Sequence, residues 1–109
     1  MSSITVNIEN YENINNALSN ELKNNLMPYI TIVNADDNTN VLDSNGNEIF
    51  EKNIKNISFM PTYTDENTNE LKTGYLLFTL SDGATLTVYE NTVNYTCTII
   101  GKPFPRKKF

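Results

Sequence analysis

The sequence contains no histidine and no tryptophan, and its only cysteine is Cys97. Without histidine the chain lacks the commonest general base near neutral pH and the commonest metal ligand. A single cysteine excludes an intramolecular disulfide and a cysteine-based metal cluster. As a nucleophile, Cys97 would need a neighbouring base or a helix N-terminus to lower its pKa. Set between Thr96 and Thr98 in an apolar–polar alternation, it reads instead as a small buried hydrophobe. The four glycines form no phosphate-binding loop, and neither G-x-S-x-G nor H-E-x-x-H occurs. Catalysis would have to rest on carboxylates such as Asp43, Glu48 or Glu51. Two acids can always be picked from thirteen, so that pattern carries little weight. The inventory points to a protein that is not an enzyme and holds no cofactor or metal.

Long apolar runs are missing too. No stretch approaches the roughly 20 residues that span a bilayer as a helix. The first residues, Met1 to Thr5, show neither a basic region nor an apolar core of a secretory signal. A virion or host-cytoplasmic setting is the expectation, with no membrane contact. At 109 residues the chain fits one domain with one core.

What the sequence has in excess is asparagine, 19 residues, with 13 threonines beside it. Both are polar without charge and suit turns and exposed strand faces. Proteins of bacterial viruses and mobile elements often have this composition, which is an association and not a mechanism. Charge is divided unevenly along the chain. Residues 1–101 hold all thirteen acids against Lys23, Lys52, Lys55 and Lys72, a net of −9. Residues 102–109 hold the other four bases and no acid, a net of +4. A body this acidic repels nucleic acid, so direct nucleic-acid binding is not expected.

Periodicity places the elements. Ile4 to Ile8 alternates as a half-buried strand. Tyr11, Ile14, Leu18, Leu22 and Leu26 then step by three or four, with Ala17 beside them, as one face of a helix. Asn10 is placed to cap it, Glu12 lies in its first turn, and Pro28 ends it. Tyr29 to Val33 is a short strand and residues 34–38 a loop. Asn45-Gly46 predicts a two-residue type I′ hairpin turn pairing Leu42 with Ile49. Residues 56–63 form a strand that Pro61 pushes toward an edge or a bulge. Residues 64–72 form a polar loop.

For the last third, Asp82-Gly83 and Asn91-Thr92 as two-residue turns give a three-stranded meander. Leu77 would pair with Val88, and Val88 with Tyr95. Its inner face would carry Tyr75, Leu77, Leu86, Val88, Tyr95, Cys97 and Ile99. Leu76, Phe78 and Leu80 would lie on the other face with Thr85, Thr87 and Tyr89. A one-residue slip would exchange the faces.

Two weaker patterns are present. Asp36, Asp37, Asn38, Asn40 and Asp43 could offer oxygens to calcium, but the EF-hand spacing is absent and turn-forming sequence explains the cluster. Asn56-Ile57-Ser58 and Asn94-Tyr95-Thr96 match the glycosylation sequon by chance within strands.

The expected fold is α+β: a mostly antiparallel sheet of about six to eight strands with one N-terminal amphipathic helix. A β-sandwich with an appended helix is the alternative. Residues 1–101 make the β-rich domain and 102–109 a basic arm, kept from helix by Pro103 and Pro105. The arm is the candidate partner-binding segment. Lys102, Arg106, Lys107 and Lys108 supply charge, and Phe104 and Phe109 supply apolar anchors. The functional expectation is a non-catalytic assembly protein, a phage or virion component that contacts copies of itself or other subunits through this arm. The alternative is a small acidic inhibitor that binds a host factor, for instance in a basic nucleic-acid-binding groove.

Overall fold

The computed structural model describes residues 3–90 and 94–104. Six strands form one antiparallel sheet: β1 (Ser3–Val6), β2 (Leu26–Asn34), β3 (Lys52–Met60), β6 (Tyr75–Leu80), β7 (Thr85–Tyr89) and β8 (Tyr95–Pro103). Their order across the sheet is β1-β8-β2-β3-β6-β7. Two short strands, β4 (Tyr63–Thr64) and β5 (Leu71–Lys72), pair as a separate hairpin. One helix, α1 (Tyr11–Lys23), follows a single 3-10 turn at Ile8–Asn10. The architecture is α+β with the helix near the N-terminus, as the periodicity implies. Among the described residues no helix is long and apolar enough to cross a membrane.

The helix begins differently from expectation. The Asn10 side chain makes no capping bond. The 3-10 turn occupies that place, with the Asn10 backbone N–H donating to the Asn7 carbonyl (3.2 Å) and to Asn7 Oδ1 (2.9 Å). The helix also stops earlier than Pro28. Asn25 takes a left-handed φ of 61°, which asparagine tolerates better than most residues. Leu26 therefore starts β2, and Pro28 lies buried inside that strand. Ile14 and Leu18 are the buried residues of α1.

α1 covers one face of the sheet. Ile30 and Ile32 of β2 stand opposite Ile99 and Cys97 of β8, and all four are buried. Farther across, Ile57, Phe78, Leu76 and Val88 continue the same layer. The opposite face is richer in threonine, with Thr31, Thr79, Thr85 and Thr87 pointing away from α1, as strand alternation requires. Residues 39–50 run along β2, with Val41 N–H donating to the Ile32 carbonyl and Ile32 N–H to the Ile49 carbonyl. Their tip reaches the start of β7, where Ser44 N–H donates to the Thr85 carbonyl (2.8 Å).

Both Asx-Gly turns are longer by one residue than expected. Gly46 (φ 80°) and Gly83 (φ 91°) are left-handed, but Asn45 and Asp82 are not. Gly46 N–H donates to the Asp43 carbonyl and Asp43 N–H to the Asn47 carbonyl; Gly83 and Leu80 repeat the pattern with Leu80 and Ala84. These are three-residue loops in which glycine forms the bulge, the next commonest hairpin after the two-residue kind. Leu42 consequently faces Glu48 and not Ile49. In the second hairpin Leu76 pairs with Val88 and Phe78 with Leu86, so the core face is Leu76, Phe78 and Leu80, not Leu77.

β8 does not pair with β7. It lies between β1 and β2, matching all nine residues of β2, and Cys97 and Ile99 are buried on it. The proposed turn at Asn91-Thr92 lies outside the described residues. β8 also continues to Pro103, into the segment read from the sequence as the start of the arm, because Lys102 and Pro103 still find partners in Met27 and Leu26.

Candidate interaction groove

Of the candidate arm residues, two are described. Lys102 is a strand residue whose Nζ lies 3.0 Å from Glu51 Oε1 and 4.7 Å from the centre of the Tyr29 ring. Its charge is engaged within its own chain. Phe104, half exposed, lines a groove between α1 and β3 together with Leu18, Leu22, Met27 and Ile57. Just before it, Gly101 packs so closely on α1 that a Cβ there would overlap the Glu21 carboxylate and lie 2.7 Å from Leu26 Cδ1. Arg106, Lys107, Lys108 and Phe109 lie outside the described residues.

The carboxylates read as catalytic candidates are spread over separate tasks. Glu51 pairs with Lys102, and Glu48 Oε2 accepts a bond from Asn40 Nδ2 (3.0 Å). Asp43 is buried, and its Oδ1 accepts the N–H groups of Asn45 (2.9 Å) and Asn47 (3.1 Å), which holds the loop between them. Its Oδ2 is buried without a donor among the described residues. Asp37 is exposed and accepts from the Thr39 hydroxyl (2.7 Å) and N–H (3.0 Å), bonds that lower its pKa. Among the described residues no three His, Cys, Asp or Glu side chains are grouped as a metal would need. Cys97 is enclosed between β1 and β2, and burial pushes its thiol up to about 12.

The groove that stands out was not anticipated. It is lined by Met60, Tyr63, Leu71, Lys72, Thr73, Tyr75 and Tyr89. Tyr75 and Tyr89 face each other across β6 and β7, their rings 5.8 Å apart and edge-on. They lie on the face opposite α1, since their neighbours Leu76 and Val88 point into the core. The β4–β5 hairpin supplies the other wall with Tyr63 and Leu71.

Gly74 sets the angle of that wall. Its N–H donates to Thr62 Oγ1 (2.8 Å), and its carbonyl accepts the Glu90 N–H (2.9 Å). Thr62 Oγ1 in turn donates to the Glu90 carboxylate. A Cβ on Gly74 would lie 2.6 Å from the Thr62 nitrogen and 2.7 Å from the Met60 carbonyl oxygen, so the backbone crossing there needs glycine. At the tip, Asp65 Oδ1 accepts the Asn67 N–H (2.8 Å), and Asn69 takes a φ of 59° to close the loop.

The exposures are large for apolar groups: Met60 41%, Tyr63 49%, Leu71 71% and Tyr89 49%. The surrounding charge is negative. Lys72 is the one charged residue among those lining the groove, and it pairs with Glu70 at 3.0 Å; the hairpin and strand ends that carry the groove also hold Asp65, Glu66 and Glu90. Phenol rings in acidic surroundings suit apolar side chains and cations, the latter through ring-face attraction. A signal was present in the sequence: Tyr63 and Leu71 are the two large apolar residues in an otherwise polar stretch from 62 to 73. No family model matches the chain, and no curated protein or solved structure matches it either.

Proposed function

We propose that the protein is a non-catalytic assembly subunit, of the kind that builds a phage particle, and that it joins its neighbours through the tyrosine groove. The observation that carries this reading is the row of exposed Met60, Tyr63, Leu71 and Tyr89 beside Tyr75. A chain with its own closed core gains nothing by leaving such side chains in water, and contiguous exposed apolar patches mark interaction sites. Tyrosine and methionine are enriched in the centres of protein interfaces. β7 ends the sheet beside the groove, so its outer edge adds backbone groups that a partner segment could pair with.

The test is the solution mass of the full chain against concentration, compared with the Tyr63→Ser, Tyr89→Ser double variant. The reading expects the parent to self-associate and the variant to stay monomeric with an unchanged melting temperature. Equal association of the two would overturn it.

A further inference from the structure

The segments that carry the tyrosine groove and the basic segment after Phe104 are opposite in charge. The groove region carries Asp65, Glu66, Glu70 and Glu90 against Lys72, a net of −3. Residues 105–109 carry Arg106, Lys107 and Lys108, a net of +3, and end in Phe109. The chain already contains a small version of the same recognition, where Lys102 sits over the Tyr29 ring while paired with Glu51.

We infer that the tyrosine groove of one molecule receives residues 105–109 of a second copy. The proposal rests on the assembly reading above and names its occupant. Reach favours a second molecule over the same one. Phe104 lies on the α1 side of the sheet, beside Ile54 and Ile57 of β3. Five residues span at most about 17 Å when fully extended. From the level of Asn56 the segment would have to advance about 13 Å along β3 to Met60 and then round the sheet to its other face. A neighbouring molecule imposes no such detour.

In the groove, the cationic side chains would lie against the rings of Tyr63, Tyr75 and Tyr89 and near Glu90, and Phe109 would pack between Met60 and the Leu71 wall. Such a contact uses different surfaces on the two partners. It is head-to-tail, and it closes a ring or continues as a filament.

The experiment uses three full-length proteins: the parent, the groove variant Tyr63→Ser, Tyr89→Ser, and the tail variant Arg106→Ser, Lys107→Ser, Lys108→Ser, Phe109→Ser. Melting temperatures check that all three fold. Sedimentation velocity should find the parent associating, each variant alone monomeric, and an equimolar mixture of the two variants forming a heterodimer and nothing larger. That pattern arises because one intact groove and one intact tail remain in the mixture. Raising the ionic strength from about 0.05 to about 0.5 M should weaken the heterodimer severalfold. Association that survives in the tail variant but not in the groove variant overturns the tail as occupant and leaves the assembly reading intact. Association that survives in the groove variant overturns both. A monomeric mixture, or a parent that never associates, also overturns the inference.

Discussion

Leu76 and Leu77 are adjacent in β6, yet Leu76 is fully buried opposite Val88 while Leu77 stands opposite Thr87 on the other face of the sheet. This order follows from the bulge at Gly83, which adds one residue to the turn. Leu76→Ala should cost about 2–5 kcal/mol of stability. Leu77→Ala should cost clearly less. Urea unfolding of the two variants checks the register, and the reverse order would mean the two-residue turn is the correct one.

The same pair measures how much of the fold is legible in the sequence. The α1 face of Tyr11, Ile14 and Leu18, the strand β1 and the alternation of β2 and β8 all follow from apolar spacing, and spacing survives any detail of the turns. Register does not. Asn45-Gly46 and Asp82-Gly83 are equally suited to two-residue and three-residue loops, and at Gly83 the choice moves the side chains of β6 to the other face while Val88 of β7 stays inside. The partner of β8 was illegible for a different reason: strand alternation says which residues face inward but not which strand lies alongside. The groove escaped notice because its walls come from β3, β4, β5, β6 and β7, which no local pattern brings together.

Gly74→Ala should disturb the groove wall before it unfolds the protein. The added methyl would press on the backbone at Met60, Pro61 and Thr62, which cannot move aside as a side chain would. A loss of about 1–3 kcal/mol is expected. Amide exchange should quicken at Tyr63, Thr64, Leu71 and Lys72 while Ile30 and Ile32 stay protected. Unchanged exchange across the hairpin would contradict the role given to Gly74.

Lys102→Met should be mild. The Lys102–Glu51 pair is well exposed, and such pairs are worth about 0–1 kcal/mol, with a comparable amount for the contact over Tyr29. A loss below about 1.5 kcal/mol is expected, without effect on self-association. A monomeric Lys102→Met protein would mean that this lysine works between molecules.

Cys97 should be inert in the native state and reactive once unfolded. Its thiol is raised from 9.0 to about 12 by burial, so the folded chain holds a proton that the unfolded chain releases. The stability this contributes is complete below pH 9 and is lost as the pH rises toward about 12. A thiol reagent at pH 8 should label Cys97 only as fast as the protein opens. Stoichiometric labelling within seconds would contradict the burial.

The central claim is that the tyrosine groove is the surface that meets a neighbour. Dilution of the full chain, followed by the ring and methyl resonances in NMR spectra, tests it most directly. The account predicts concentration-dependent shifts concentrated at Tyr63, Leu71, Tyr75 and Tyr89, with little change at a second shallow site of the same face, around Thr31, Phe50 and Ile100. Shifts centred on Phe50 and Ile100, with the groove tyrosines unmoved, would contradict it.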